Sequence, residues 1–271
     1  MKVFTDPKKL QAWARKCRLK SKCVALVPTM GYLHDGHLSL IEAAKKKGAD
    51  EIIVSIFVNP VQFGPNEDFE KYPRDEKSDL RKCRMAGATA VFFPTTENMY
   101  DSDHSTFVEE VSLSGGLCGA RRPGHFRGVA TVVAKLFNLA HPDFAVFGQK
   151  DYQQVQVIKR MVRDLNFDLE IVVAPIVRES SGLAMSSRNT YLSDKEREQA
   201  VVISRELSAL KSKPKTTLAI KKLLERAGLT VDYVECVDSE TLKPVRSVRK
   251  GTTVLVAAFC GKTRLIDNIV L

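Results

Sequence analysis

The sequence predicts a doubly wound α/β fold with a smaller α+β unit at its C-terminal end. Three observations predict it. Short β-branched, apolar runs alternate with helix-length stretches from residue 23 to 173. Those runs are apolar at successive positions, as strands covered on both faces of a parallel sheet must be. The polar residues able to do chemistry gather just after the runs, at the strand ends where open α/β sheets bind ligands.

Residues 5–20 read as a helix, with Thr5 or Asp6 as N-cap and Pro7 in its first turn. The run 23–27 is a strand, followed by the turn Pro28-Thr29-Met30-Gly31 and a helix from about residue 37 to 47 that Gly48 ends. The run 52–58 is a buried strand stopped by Asn59-Pro60. A charged helix over 74–86 is closed by Gly87, and 91–94 is a short strand. A Gly- and Arg-rich loop spans 115–128, after which Val129, Val132, Val133, Leu136 and Phe137 repeat at helical spacing. A strand at 144–147, a helix at 152–164 and a strand at 169–173 complete the alternation. The pattern changes near residue 180. Ser193-Asp194-Lys195-Glu196 is a capping box that opens a helix, Pro214 breaks it, and 216–227 is a second helix. Strands follow at 231–237 and 253–259. The expected division is therefore 1–180, a nucleotide-binding α/β domain, and 181–271, a small α+β domain.

Composition narrows the function. With 271 residues, 44% of them apolar, the chain can bury a real core. No window approaches the ~20 apolar residues of a membrane span, and the N-terminal residues lack the apolar core of a signal peptide. The six cysteines form no C-x-x-C pair and no cluster with histidine, which points to free thiols in a reducing cytoplasm rather than a disulfide framework or a zinc site. The net charge of +10 fits steering of a polyanionic small substrate. It also fits nucleic acid, but a single Trp and the lack of an RNA-binding signature argue against that partner. The lysine runs 8–9 and 45–47 read as solvated helix faces.

The motif His34-Asp35-Gly36-His37 sits where a strand hands over to a helix. Unpaired N–H groups and the helix dipole favour an anion there, two imidazoles add donors, and Gly36 is expected to let a ligand approach the backbone. Chemistry at a nucleotide phosphate is implied. Four further groups join it. Asn59-Pro60-Val61-Gln62 supplies an amide that donates and accepts, suited to a hydroxy acid. Arg121-Arg122-Pro123-Gly124-His125-Phe126-Arg127 offers guanidinium forks for carboxylate or phosphate, although Arg121 and Arg127 read as a solvent loop or subunit contact. Gly148-Gln149-Lys150-Asp151 joins strand to helix: Lys150 can balance phosphate charge, and Asp151 can hold Mg²⁺ or a ribose hydroxyl or simply cap the helix. Gln154 lies one turn on. Met185-Ser186-Ser187-Arg188 is a small polar loop able to close over a triphosphate.

Together with Tyr72-Pro73-Arg74, Gln153-Gln154, Gly182-Leu183-Ala184 and Leu265-Ile266-Asp267-Asn268, these segments resemble the pantoate–β-alanine ligase family of the H-x-G-H nucleotidyltransferases, in order from residue 28 to 268. The resemblance implies a Rossmann-like N-terminal domain, a C-terminal lid, a cytoplasmic homodimer, and condensation of (R)-pantoate with β-alanine through pantoyl adenylate, with ATP and Mg²⁺. It implies that Met30, Gly31, His34, His37, Gly148, Lys150, Asp151, Val177, Met185, Ser186, Ser187 and Arg188 hold ATP, with Asp151 toward the metal. His34, His37, Lys150 and Arg188 would be catalytic, His37 as a general acid. Gln62, Gln154, Met30, Asn59, Val133 and Arg122 would receive pantoate and β-alanine, Val133 as apolar wall. Two positions depart from the family: Gln149 and Cys118 stand where members usually carry Glu. No base accompanies Cys118, and it is not expected to act as a nucleophile. A nucleotidyltransferase whose product keeps the nucleotide, and a non-catalytic nucleic-acid module, are the competing readings.

Overall fold

The computed structural model describes every residue of the chain except Asn66 and Pro214. The expectation that Pro214 breaks a helix therefore lies outside the described residues. Six parallel strands, β1 (Lys2–Phe4), β2 (Val24–Thr29), β3 (Glu51–Ile56), β4 (Ala90–Phe92), β5 (Phe144–Gly148) and β6 (Glu170–Ala174), form one sheet in the order β1-β4-β3-β2-β5-β6.

Helices cover both faces because side chains alternate along each strand. Val24 and Leu26 of β2 pack with α1 (Pro7–Leu19), α6 (His125–Ala140) and α7 (Tyr152–Asp164). Ala25 and Val27 pack on the other face, with α2 (Asp35–Lys46) and α3 (Glu76–Ala86). Two short helices, α4 (Thr96–Met99) and α5 (Leu117–Arg121), lie in the connections.

The order reverses between β2 and β5: the chain steps outward one way through β3 and β4 and the other way through β6. Sheets of this kind open a crevice at that switch point. Here the sequence widens it. The Thr29 carbonyl accepts from Phe57 N–H on the β3 side, so by alternation Pro28 faces β5 with no N–H to donate. Pairing between β2 and β5 is confined to Ala25 and Leu26.

The remaining strands, β7 (Thr230–Asp238), β8 (Thr252–Cys260) and β9 (Thr263–Val270), form an antiparallel sheet backed by α8 (Asp194–Ala209) and α9 (Thr217–Arg226). The predicted capping box opens α8: Ser193 Oγ accepts from Glu196 N–H, and the Glu196 carboxylate accepts from Ser193 N–H. A further apolar cluster joins the two sheets, with Phe126, Tyr152 and Val157 against Val237, Leu242 and Leu255.

Several sequence expectations are corrected. Pro28 and Thr29 belong to β2, and the turn begins at Met30. Helix α2 starts at Asp35 rather than near 37. The segment 115–128 is not a continuous loop, since α5 occupies part of it and α6 already begins at His125. Strands β1 and β9 were not expected. The first is only three residues long, and the buried Asp267 and Asn268 interrupt the apolar pattern of the second.

Candidate active site

Four of the polar motifs leave the C-terminal ends of β3, β2, β5 and β6, which are consecutive neighbours in the sheet. They meet around a cavity of about 200 Å³ at the switch point.

The β2 motif is shaped by its own short-range geometry. His34 is the N-cap of α2, and its amide donates to His37 Nδ1 at 3.2 Å. An accepting Nδ1 places the proton of a neutral imidazole on Nε2, so His37 can offer an N–H. The two rings lie 4.0 Å apart between centroids. Burial drives the basicity of both down, helped by the nearby Lys150 cation. His34 falls to about 4, and His37, also beside His34, lies well below the ordinary value. Both are neutral near pH 7, so His37 presents a neutral N–H donor to the cavity. Among the described residues His34 Nδ1 is buried with no hydrogen-bond partner. The role given to Gly36 also changes. A Cβ there would sit 2.9 Å from Cε1 and Nδ1 of His34, so the space it frees is filled by that ring and not reserved for a ligand.

The turn before the motif is fastened by a residue that sequence reasoning missed. Asp79 of α3, 1% exposed, accepts from the amides of Tyr32 and Leu33 at 2.7 Å each. Burial pushes its carboxyl above the usual range, against those two bonds. Gly31, at φ +82°, makes the turn beside it. A Cβ would meet Ile56 Cγ2 at 2.9 Å and Asp79 Oδ2 at 3.0 Å. Gly31 shapes this turn and borders a separate, neighbouring cavity.

After β3, Gln62 lines the cavity while 8% exposed. Its Oε1 accepts from Asn59 Nδ2 at 3.1 Å and its Nε2 donates toward Met30 Sδ at 3.2 Å. Asn59, expected to touch substrate, is 1% exposed and stands behind it. Its amide also donates to the Gly128 carbonyl, and its Oδ1 accepts from Tyr100 Oη. It orients Gln62 rather than lining the cavity. Gly128 allows the close approach of α6: a Cβ would lie 2.5 Å from the Val61 carbonyl oxygen.

Arg122, also expected as a substrate ligand, borders a larger neighbouring cavity of about 990 Å³ between the two sheets. It donates through Nε and Nη2 to Glu67 at 2.7 and 2.6 Å, and through Nη1 to His125 Nε2 at 3.0 Å. His125 Nδ1–H in turn donates to the Gln62 carbonyl at 2.8 Å. Burial and Arg122 hold His125 neutral, its basicity down to about 4. Arg121 and Arg127 are exposed, Arg121 pairing with Asp232 at 3.0 Å and Arg127 stacking 3.9 Å over Phe107.

From the β5 side come Gly148, Lys150, Asp151 and Gln154, with Lys150 Nζ 3.3 Å from Asp151 Oδ2. Asn268 of β9 holds this turn, donating to the carbonyls of Gln149 and Lys150 at 3.0 Å each, while Gln149 Nε2 donates back to Asn268 Oδ1. The amide at 149 thus has a specific partner. Asp151 makes no side-chain cap to α7. From the β6 side come Val177, Met185, Ser186, Ser187 and Arg188, and α6 supplies Val133 as part of an apolar wall. Ser187 Oγ donates to the Tyr32 carbonyl at 3.2 Å, tying this loop to the histidine turn. Cys118 Sγ accepts from Arg264 at 3.6 Å.

The comparisons with known proteins agree with this geometry. The pantoate-beta-alanine ligase family model matches residues 2–270. A pantothenate synthetase of Thermosipho melanesiensis is 53% identical over 281 residues, covering 100% of this chain and 99% of its own length. One from Clostridium acetobutylicum is 50% identical, with 99% and 98% covered. Among solved structures, a pantothenate synthetase from Thermus thermophilus superposes with a TM-score of 0.90 at 42% identity, covering 99% of each chain. The pantoate-beta-alanine ligase of Francisella tularensis, complexed with beta-gamma ATP and beta-alanine, gives 0.86 at 33%, covering 100% of this chain and 97% of that one. With its model matched almost end to end and relatives near half identity over full length, the chain belongs to the pantoate-beta-alanine ligase family.

Proposed function

We propose that this chain condenses (R)-pantoate with β-alanine in two steps at the one switch-point cavity. A pantoate carboxylate oxygen attacks the α-phosphorus of ATP; the Pα–O bond to the β-phosphate breaks and pyrophosphate leaves. The β-alanine nitrogen then attacks the acyl carbon of pantoyl adenylate, loses a proton, and AMP departs. The observation that carries this reading is the convergence of donors for a polyphosphate (His34, His37, Lys150, Arg188) and for a hydroxy acid (Gln62, Gln154) on the same cavity.

No protein nucleophile is required, so catalysis is positioning and charge stabilisation. His37 Nε2–H and Lys150 meet the negative charge that builds on the triphosphate, Arg188 neutralises the departing pyrophosphate, and Ser186 and Ser187 flank it. Gly148, Val177 and Met185 bound the nucleotide. Gln62 and Gln154 bind pantoate between Met30 and the Val133 wall, with Gln62 also within reach of the amine. Asn59 and, through His125, Arg122 support Gln62, and Gly31 shapes the turn.

Among the described residues no three acidic, histidine or cysteine side chains gather around a metal-sized point. The lone carboxylate of Asp151 beside the cavity suits Mg²⁺, an ion held largely by substrate phosphates. When bound it would supply further neutralisation of the triphosphate. Residues 181–271 form the lid of a domain pair split near 180. The larger cavity between the sheets, lined by Lys150 and Gln154 from one side and Arg264 and Asp267 from the other, is where closure excludes water. No described helix is long and apolar enough to cross a membrane. A cytoplasmic homodimer is part of the same proposal, on family grounds.

The test is pyrophosphate exchange into ATP without β-alanine. Pantoate-dependent exchange is expected; exchange that begins only once β-alanine is present would overturn the two-step order.

A further inference from the structure

Two consecutive carboxylates take no direct part in the two steps of the reaction. Glu67 and Asp68 follow Gln62 on the segment leaving β3, and each grips an arginine along one full edge. Glu67 holds Arg122, which reaches the Gln62 carbonyl through His125. Asp68 accepts from Arg188 Nε at 2.9 Å and Nη2 at 2.7 Å, joining residues 120 positions apart in the chain. Neither Asp68 nor Arg188 has lost access to the cavities: both border the larger one, and Arg188 also borders the switch-point cavity.

We infer that Asp68 is a positioning residue for adenylation, fixing the Arg188 guanidinium so that its remaining edge faces the triphosphate. The inference rests on the reading of Arg188 as a triphosphate ligand. A guanidinium carries five N–H donors in a rigid plane. Asp68 occupies the Nε/Nη2 edge. Among the described residues Nη1 has no hydrogen-bond partner, which leaves that edge for a second anion. The Tyr72 ring, 5.5 Å from Arg188 Cζ, limits the guanidinium from its face. Carboxylate and ring together define both the plane and the rotation of the fork. The pair also stays charged across the working range, since the hydrogen-bonded partner holds Asp68 below and Arg188 above their ordinary values despite half-burial.

A competing role is that Asp68 stands in for phosphate and is displaced by it. Displacement would leave an unpaired carboxylate beside a polyanion, and the free edge makes it unnecessary. Glu67 plays the matching part on the acid side. One short segment thus sets the register between the amide that takes the carboxylate and the cation that takes the leaving group, the two ends of an in-line displacement.

The test compares Asp68→Asn, Arg188→Ala and the double variant in pyrophosphate release with ATP varied, and in aminolysis of preformed pantoyl adenylate, a step that involves no triphosphate. Asp68→Asn is expected to lower kcat/KM for ATP at least about tenfold, to leave aminolysis within about twofold, and to add nothing in the Arg188→Ala background. Asp68→Glu, which keeps the charge but moves it by one methylene, is expected to fall between wild type and Asp68→Asn. Tighter ATP binding in Asp68→Asn would mean a displaced competitor and overturn the inference. So would a further loss on top of Arg188→Ala, or an unaffected Asp68→Asn beside an impaired Arg188→Ala. Full ATP use by Arg188→Ala would instead overturn the role of Arg188 itself, and the inference with it.

Discussion

Lys150→Ala is expected to slow pantoate-dependent pyrophosphate release by roughly 10²–10³-fold, the cost of removing one preorganised charge-stabilising donor from a site of this kind. Among the described residues the side chain has a single ionic partner, Asp151 at 3.3 Å, and it is 21% exposed in the cavity wall. Among the described residues its Nζ bonds to no other element of the fold. The turn that carries it is held by Asn268 through backbone carbonyls, which alanine retains. The loss should therefore appear in kcat, with the near-ultraviolet circular dichroism and melting temperature unchanged. A variant within threefold of wild type in pyrophosphate release would remove Lys150 from the reaction.

His37→Ala is the second large effect, expected to cost on the order of 10²-fold in the same step. Its neutral Nε2–H makes a sharper comparison available. Glutamine places an amide near the Nε2 position, so His37→Gln should keep appreciably more activity than His37→Ala if a neutral donor is what the step needs. Equal inactivity of the two would indicate proton transfer instead. The same neutrality fixes a pH dependence. Burial pushes His34 and His125 down to about 4 in the fold against 6.5 unfolded, and holds His37 well below its ordinary value too. Between those values the unfolded chain binds more protons than the folded one, so stability rises with pH across the interval. It is fully present above about 6.5 and is lost as pH falls toward 4. Chemical denaturation at a series of pH values should show that slope, and a stability flat from pH 7 down to 4 would contradict the neutral, buried state of all three rings.

Much of this architecture was legible in the residue pattern, for reasons that are local. Runs such as 24–27 and 52–54 are apolar on both faces, and only a sheet covered twice accommodates them. Ser193 and Glu196 specify a helix start through their own hydrogen bonds. The candidate site was legible because its motifs follow strands; that those strands are neighbours is a property of topology, which the motifs do not encode. What stayed hidden depends on distant partners. Asp79 lies among charged residues of a helix that reads as solvated, yet it is buried against the amides of Tyr32 and Leu33. Asp267 and Asn268 interrupt β9 because one pairs with Arg178 and the other holds the Lys150 turn. Asn59 carries a residue type suited to ligand binding, but Tyr100 and Gly128 consume its polar atoms.

Adenylation requires that the pantoate carboxylate itself attack the nucleotide. Pantoate labelled with ¹⁸O in its carboxylate, turned over with ATP and β-alanine, tests it by mass spectrometry of the products. One labelled oxygen is expected in AMP and none in pyrophosphate. Label carried into pyrophosphate or phosphate, with AMP unlabelled, would contradict it.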